Sequence, residues 1–156
     1  MQDECFFSKI DRIKSRLYRI AFGYLGNEGA AVDAVDEAIF KGYKGRNHLR
    51  ELDFFDTWMT RILMNECNRV LRHRKREVSL AELPDTETEW MDNLPLKEAI
   101  RCLPDQLRSI VVLRYFGGLT LAETAERLGI PQGTAATRQR RALTLLKLDL
   151  GEEEVL

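Results

Sequence analysis

The sequence predicts an all-α chain built as two small helical domains joined by a flexible linker, and three observations predict it. Apolar residues recur at spacings of three and four rather than two, the pattern of a helix with one buried face. Only four Pro and ten Gly punctuate the 156 residues. Residues 78–93 carry five acidic and no basic side chains and lack a helical apolar period, which marks a solvated connector between two patterned blocks. The expected boundaries are a first domain at 1–77, an acidic linker at 78–93, a second domain at 94–150 and an acidic tail at 151–156.

In the first block Phe6, Ile10, Ile13, Leu17, Ile20 or Ala21, and Tyr24 line one face of a helix over about 4–25, stopped at Leu25, Gly26 and Asn27. Asn27 caps a second helix over about 28–44, with Val32, Val35 and Ile39 as a narrow apolar stripe beside Asp33, Asp36, Glu37 and Lys41. Gly42 and Gly45 end it and open a polar stretch. Asp53 is placed to cap a third helix, where Phe55, Trp58 or Met59, Ile62, Cys67, Val70 and Leu71 carry the apolar face to about residue 75. A bundle of three or four helices around one small core follows.

The second block resumes at Leu94, with Pro95 in a first helical turn and Leu96, Ala99, Ile100 and Leu103 facing inward. Pro104 starts the next helix, filled by Leu107, Ile110, Val111, Leu113 and Tyr115 and ended by Phe116, Gly117 and Gly118. Thr120 and Glu123 then form a capping box for a short helix from Leu121 to Leu128. Gly129 ends that helix, Ile130 and Pro131 turn, and a last helix runs from about Gln132 to Leu148. Small residues at Ala125 and Ala135, with a glycine between them free to adopt the left-handed conformation, are what a helix-turn-helix needs for a close crossing. The last helix offers Gln132, Thr134, Thr137, Arg138, Arg140 and Arg141, side chains suited to base edges, phosphate or guanine. An alternative holds on motif grounds alone: helix pairs joined at glycine occur in many bundles, and helix arginines often form a solvated face.

Composition removes several classes. At 44% hydrophobic and 31% charged the chain is neither disordered nor membrane-embedded. Its longest aliphatic run, 110–113, is far short of the roughly 20 residues of a membrane helix, and no export signal opens the chain, so a cytoplasmic location without membrane insertion is expected. Cys5, Cys67 and Cys102 are odd in number and far apart, and His48 and His73 have no partner at ligand spacing, so no disulfide framework, metal or cofactor is expected. The absence of a phosphate loop, an HExxH or an interpretable nucleophile argues against an enzyme. The net charge of −1 hides clusters: Arg69, Arg72, Arg74, Lys75 and Arg76 in the first block, and Arg138, Arg140 and Arg141 in the second.

The strings LYRIA (17–21), YLGN (24–27), DAVDE (33–37), TWMTRI (57–62) with Asn65, LP (103–104), VLRYF (112–116) and LGIPQGT (128–134) with Arg138 fall in the order found in extracytoplasmic-function (ECF) sigma factors of the sigma-70 family of bacterial RNA polymerase. The chain resembles that family over nearly its whole length. The resemblance implies a first block like sigma region 2, which binds the polymerase clamp and melts the minus-ten element, and a second like region 4, which reads the minus-thirty-five element. It implies core RNA polymerase and promoter DNA as partners, with an anti-sigma factor as inhibitor.

Carried onto this sequence, Asp33, Asp36 and Glu37 form a polymerase-binding edge, against the alternative of a solvated acidic face; Asp36 replaces the usual Gln and loses its donor. Arg61, Asn65 and Arg69 are minus-ten candidates on the third helix, since an Asn amide supplies both donor and acceptor to an exposed base edge. Trp58 shares their stripe but follows Phe55 on the apolar face, which favours the core over a stacking platform. Asn47, His48 and Leu49, with Arg50, match the loop that accepts a flipped promoter base, although Leu49 stands at an aromatic and Glu51 at a glycine position. In the reading helix, Ala136 replaces a basic and Gln139 an apolar residue, which suggests looser packing, and Arg140 is placed to replace the lost charge.

A one-component helix-turn-helix regulator that binds an operator as a dimer is the competing reading; it leaves the first block unexplained. The linker spans roughly 20 to 25 Å as a coil and lets the blocks separate. With the resemblance, it implies a compact inhibited state in which an anti-sigma protein inserts between the blocks and hides Arg61, Asn65 and the acidic edge.

Overall fold

The computed structural model describes residues 1–80 and 94–150, all in helices and their connections, with no strand among the described residues. From residue 81 the expected linker lies outside the described residues, as does the tail at 151–156.

Helix α1 (Asp3–Leu25) buries the whole predicted stripe, from Phe6 to Tyr24. Gly26, at φ 69°, takes the left-handed conformation that closes the helix and returns its N–H to the Phe22 carbonyl at 2.7 Å. The Asn27 side chain accepts from the Ala30 N–H at 2.8 Å and so caps α2 (Glu28–Lys44). The buried face of α2 differs from the expected one: Ala31, Ala34, Val35, Ala38 and Gly42 pack inward, while Val32 is 45% exposed. Small side chains let α2 lie close to its neighbours, and a Cβ on Gly42 would meet the Met59 sulfur at 2.6 Å.

Helix α3 (Phe55–Leu80) begins after a 3₁₀ turn over Leu52–Phe54. Asp53 therefore sits inside that turn rather than capping the helix, and Asp56 in the first turn takes two hydrogen bonds from Arg12 of α1, at 2.7 and 3.2 Å. Along one side of α3 the core positions are Phe55, Met59, Leu63 and Cys67, with Met64 buried beside them; Trp58 and Ile62 are only half-buried. At 100° per residue those four share one side, and Trp58 and Ile62 flank it.

In the second block α4 (Leu94–Cys102) turns into α5 (Asp105–Val111). Arg108, 8% exposed, staples this corner by donating to the Asp105 carboxylate and to the Arg101 and Leu103 carbonyls at 2.8 to 3.0 Å, groups that a helix end leaves unpaired. The chain then widens into a π turn over Val112–Phe116, closed by Gly117 N–H to Val112 O at 2.9 Å. Tyr115, expected in the core, is 54% exposed: an extra residue in the turn shifts the buried face to Val112 and Leu113.

The helix-turn-helix forms as predicted. The Thr120–Glu123 capping box opens α6 (Leu121–Leu128), Gly129 at φ 70° closes it, and α7 (Gln132–Leu150) crosses it over buried Ala125 and Ala135. The Glu123 carboxyl lies below the usual range because it accepts the Thr120 backbone N–H.

The two blocks touch directly, and one apolar core runs through both. Gly23 faces the Phe116 ring so closely that a Cβ would lie 2.6 Å from its Cγ, and Gly117 packs on Ile20. Buried Tyr24 hydrogen-bonds Ser109 at 2.9 Å, Arg16 donates to Gly117 O at 3.0 Å, and Arg19 donates to Phe116 O at 3.3 Å. The chain's own side chains fill the seam between the blocks.

Candidate nucleic-acid interface

On α7 the candidates Gln132, Thr137, Arg140 and Arg141 are exposed, and Thr134 and Arg138 are half-buried. The opposite side of the helix is held by Ala135, Ala142 and Leu146, all buried, so the polar set shares an outward aspect because the apolar set is consumed by the core. Arg140 reaches back to Thr137 Oγ1 at 3.4 Å. Gln139 is not a packing fault. Its amide oxygen accepts from Arg114 Nε at 2.9 Å, and the same guanidinium donates to Leu119 O at 2.9 Å. Half-buried Ala136 and this clamp leave the helix seated without the apolar residue expected at 139.

In the first block a groove of about 500 Å³ opens between the C-terminal corner of α2 and α3. Trp58 and Asn65 line it with His48, and Lys41, Arg69 and Arg72 bring positive charge. Glu66 completes it, a carboxylate 3% exposed that pairs with Lys41 at 2.7 Å and with Arg69. Burial acts to raise the Glu66 pKa, but hydrogen bonds from Arg69 and Lys41 outweigh it and hold the carboxyl below its usual range. The groove keeps a positive excess, because one acid faces three cations. Sequence reading missed Glu66, although its spacing of three from Arg69 is a helix ion-pair spacing.

The candidates are thus divided. His48, Asn65 and Arg69 meet in the groove, and Asn47, exposed, lies in the 3₁₀ turn Arg46–His48 that borders it. Leu49 is half-buried against the core. Arg46, not singled out from sequence, fixes this corner: its guanidinium stacks 4.0 Å from the Tyr43 ring centre and donates to Tyr43 O at 2.8 Å. Arg61 lies apart. Its Nε donates to Arg127 O at 2.8 Å and its Nη2 approaches Glu126 O at 3.4 Å, so the last turn of α6 holds it.

On the outer face of α2, Asp33 and Asp36 are exposed and Glu37 is half-buried. Val32 and Phe40, 45% and 53% exposed, flank them, so the edge is apolar as well as acidic. Phe40 was not foreseen. Its exposure is a tertiary outcome of alanines taking the inner face.

Residues 10–77 match the family Sigma-70 region 2, and residues 99–148 match Sigma-70, region 4. The RNA polymerase sigma factor SigV of Bacillus subtilis is 31% identical over 147 residues, which cover 91% of this chain and 89% of that protein. The chain belongs to the ECF sigma factors of the sigma-70 family. The ECF RNA polymerase sigma factor SigW of the same organism is 30% identical, with 94% of this chain and 89% of that protein covered. In fold, this sigma factor is similar to RpoE of Bartonella quintana, solved in complex with the anti-sigma factor NepR, at TM-score 0.70 and 21% identity over 97% of this chain and 99% of that one. It is also similar to CnrH, solved with the cytosolic domain of CnrY, at TM-score 0.71 and 17% identity over 94% and 88%.

As a sigma factor it directs promoter recognition and transcription initiation by RNA polymerase, and its relatives are not catalytic enzymes. Among the described residues no three His, Cys, Asp or Glu side chains gather into a group able to hold a metal, and no helix is long and apolar enough to cross a membrane. Burial pushes the Cys67 thiol up to about 12, which keeps it protonated in the ordinary pH range.

Proposed function

We propose that the first block captures the melted minus-ten strand in the groove of His48, Trp58, Asn65 and Arg69, and that α7 reads the minus-thirty-five duplex. The observation that carries this reading is the pairing of two different surfaces in one sigma factor. A concave, net-positive groove with an indole wall and an amide suits a single unstacked base. A convex helix with Gln, Thr and Arg outward suits a major groove. Arg61 and Asn47 extend the first surface once the blocks part, and Arg138, Arg140 and Arg141 supply guanine or phosphate contacts to the second. The edge of Asp33, Asp36 and Glu37, with Val32 and Phe40, is the proposed polymerase contact, since carboxylates beside exposed apolar side chains fit a basic, partly apolar partner helix.

Catalysis then rests with the polymerase, and the protein acts in the cytoplasm with no cofactor of its own. An anti-sigma factor is a proposed inhibitor, supported by the likeness to two chains solved with NepR and CnrY. The family argues against the operator-binding regulator. Reconstitution with core polymerase and sequencing of transcript starts tests the assignment: start sites should share two upstream elements. Loss of the groove by Asn65→Ala with Trp58→Ala should impair melting before it impairs duplex binding. Equal loss of both would sink the division of labour.

A further inference from the structure

The 3₁₀ turn over Arg46–His48 places Asn47 and His48 at the groove, yet it buries none of its own residues. Its internal hydrogen bonds are few: His48 N–H to Gly45 O at 2.9 Å and Leu49 N–H to Arg46 O at 3.3 Å. Half-buried Leu49 anchors the exit of the turn against the core. Arg46 anchors its entry. Its Nε donates to the Met1 carbonyl at 3.1 Å, its Nη1 to the Tyr43 carbonyl at 2.8 Å, and its Nη2 pairs with Asp3 Oδ1 at 3.1 Å. One face of the guanidinium lies 4.0 Å from the centre of the Tyr43 ring. The fork thereby joins the end of α2 to the start of α1 and holds the turn at that junction. The Met1 nitrogen donates to Asn47 Oδ1 at 3.2 Å, which ties the next residue to the same place.

In sequence Arg46 opens a polar, basic stretch, where an arginine is ordinarily counted as a phosphate contact. Its surroundings argue otherwise. Three of the five N–H donors of the guanidinium are directed at protein oxygens, its charge faces Asp3, and only 22% of the side chain is exposed. A phosphate would have to displace two carbonyls and a carboxylate to reach it.

We propose that Arg46 is a positioning residue for base discrimination: it does not touch the promoter but fixes where Asn47 and His48 stand at the groove, and Asp3 in the first turn of α1 completes the clamp. This rests on the reading of the groove as the site of the melted strand. Discrimination between bases needs donors and acceptors held to within about 0.5 Å, and a turn left loose would have to be ordered by the strand at a cost to binding. Lysine cannot substitute here, because one ammonium does not supply a planar fork that bonds on three sides and stacks on a ring.

The test uses holoenzyme reconstituted from core polymerase and the full chain, on a promoter mapped from its own transcript starts and on versions with each minus-ten base replaced in turn. Permanganate reactivity of unpaired thymines reads melting, and the ratio of native to substituted promoter reads discrimination. Arg46→Ala should lower the largest ratio about fivefold, the scale of one misplaced hydrogen bond, and Arg46→Lys should lower it as far. Asp3→Asn, which removes only the exposed carboxylate arm, should lower it about twofold. The salt dependence of promoter binding should stay as in wild type, because no phosphate contact is lost. Weakened folding alone would lower the yield of holoenzyme and leave the ratios untouched. Should Arg46→Ala not fold, Arg46→Lys and Asp3→Asn carry the test. Wild-type ratios in Arg46→Lys, or a salt slope reduced by about 0.7 to 0.9, would show that Arg46 meets a phosphate and overturn the proposal. The groove reading is tested apart, by Asn47→Ala with His48→Ala. If that pair leaves every ratio unchanged, the turn meets no base and Arg46 has nothing to position; if the pair lowers the ratios and Arg46→Ala does not, the groove stands and the clamp falls.

Discussion

Arg114 and Gln139 are hydrogen-bonded at 2.9 Å across the gap between the π turn and α7. The arginine is half-buried and also holds Leu119 O, so it fixes three segments at once: the turn, the approach to α6, and α7. A hydrogen bond to a charged group is worth about 1.5 to 3 kcal/mol, and partial exposure reduces that. Gln139→Ala should therefore destabilise the protein by about 1 kcal/mol in urea unfolding. Arg114→Met should cost more, about 2 kcal/mol, because it also strands a carbonyl.

Thr120→Ala removes one half of the α6 capping box and should cost about 1 kcal/mol. The other half titrates. The Glu123 carboxyl is held below its usual range in the folded state by the Thr120 N–H, so its contribution is complete above the ordinary glutamate pKa. It is lost as the pH falls through the lower, folded-state value. Comparison of wild type with Glu123→Gln across acid pH should show the stability gap closing there. A gap that widens toward acid would refute the role of the carboxylate.

Arg141 is exposed on α7, so its loss should be felt by DNA and not by the fold. Arg141→Ala should leave the unfolding midpoint unchanged. If the side chain meets phosphate, binding weakens alike on all sequences and the salt slope drops by about one; if it meets guanine, discrimination at one position falls by about 1 to 3 kcal/mol. Salt titrations on matched and mismatched promoters separate these outcomes.

Charge reversal of the α2 edge by Asp33→Lys with Glu37→Lys should weaken co-purification with core polymerase. Phe40→Ala should weaken it independently, because it removes exposed apolar area while leaving the charge intact. Retention of wild-type binding in both variants would move the polymerase contact elsewhere.

The helix-turn-helix was legible because its determinants are local: Thr120, Glu123 and Gly129 act within four residues of where they stand. The face of α2 was not, since counting large apolar residues chose Val32 when alanines set the packing. Tyr115 was misplaced for a related reason: a π turn changes the helical period, and no residue type announces it. The groove was half legible, as Asn65 and Arg69 lie on a readable stripe while buried Glu66 depends on Lys41 from another helix. Arg61 was found as a residue and not as a contact. Its partner carbonyls belong to a segment more than sixty positions away, which composition and spacing cannot join to it.

The core that runs unbroken from Leu17 and Ile20 through Leu113 and Leu119 makes the unbound protein a single cooperative unit, so heat should melt both halves in one transition. If the polymerase parts them, that unit divides in two and the faces around Gly23 and Phe116 are bared. A molecule dislodged from the enzyme before it recloses would then be the form that proteases cut first, and the same closure would set how long the pool of unused protein survives.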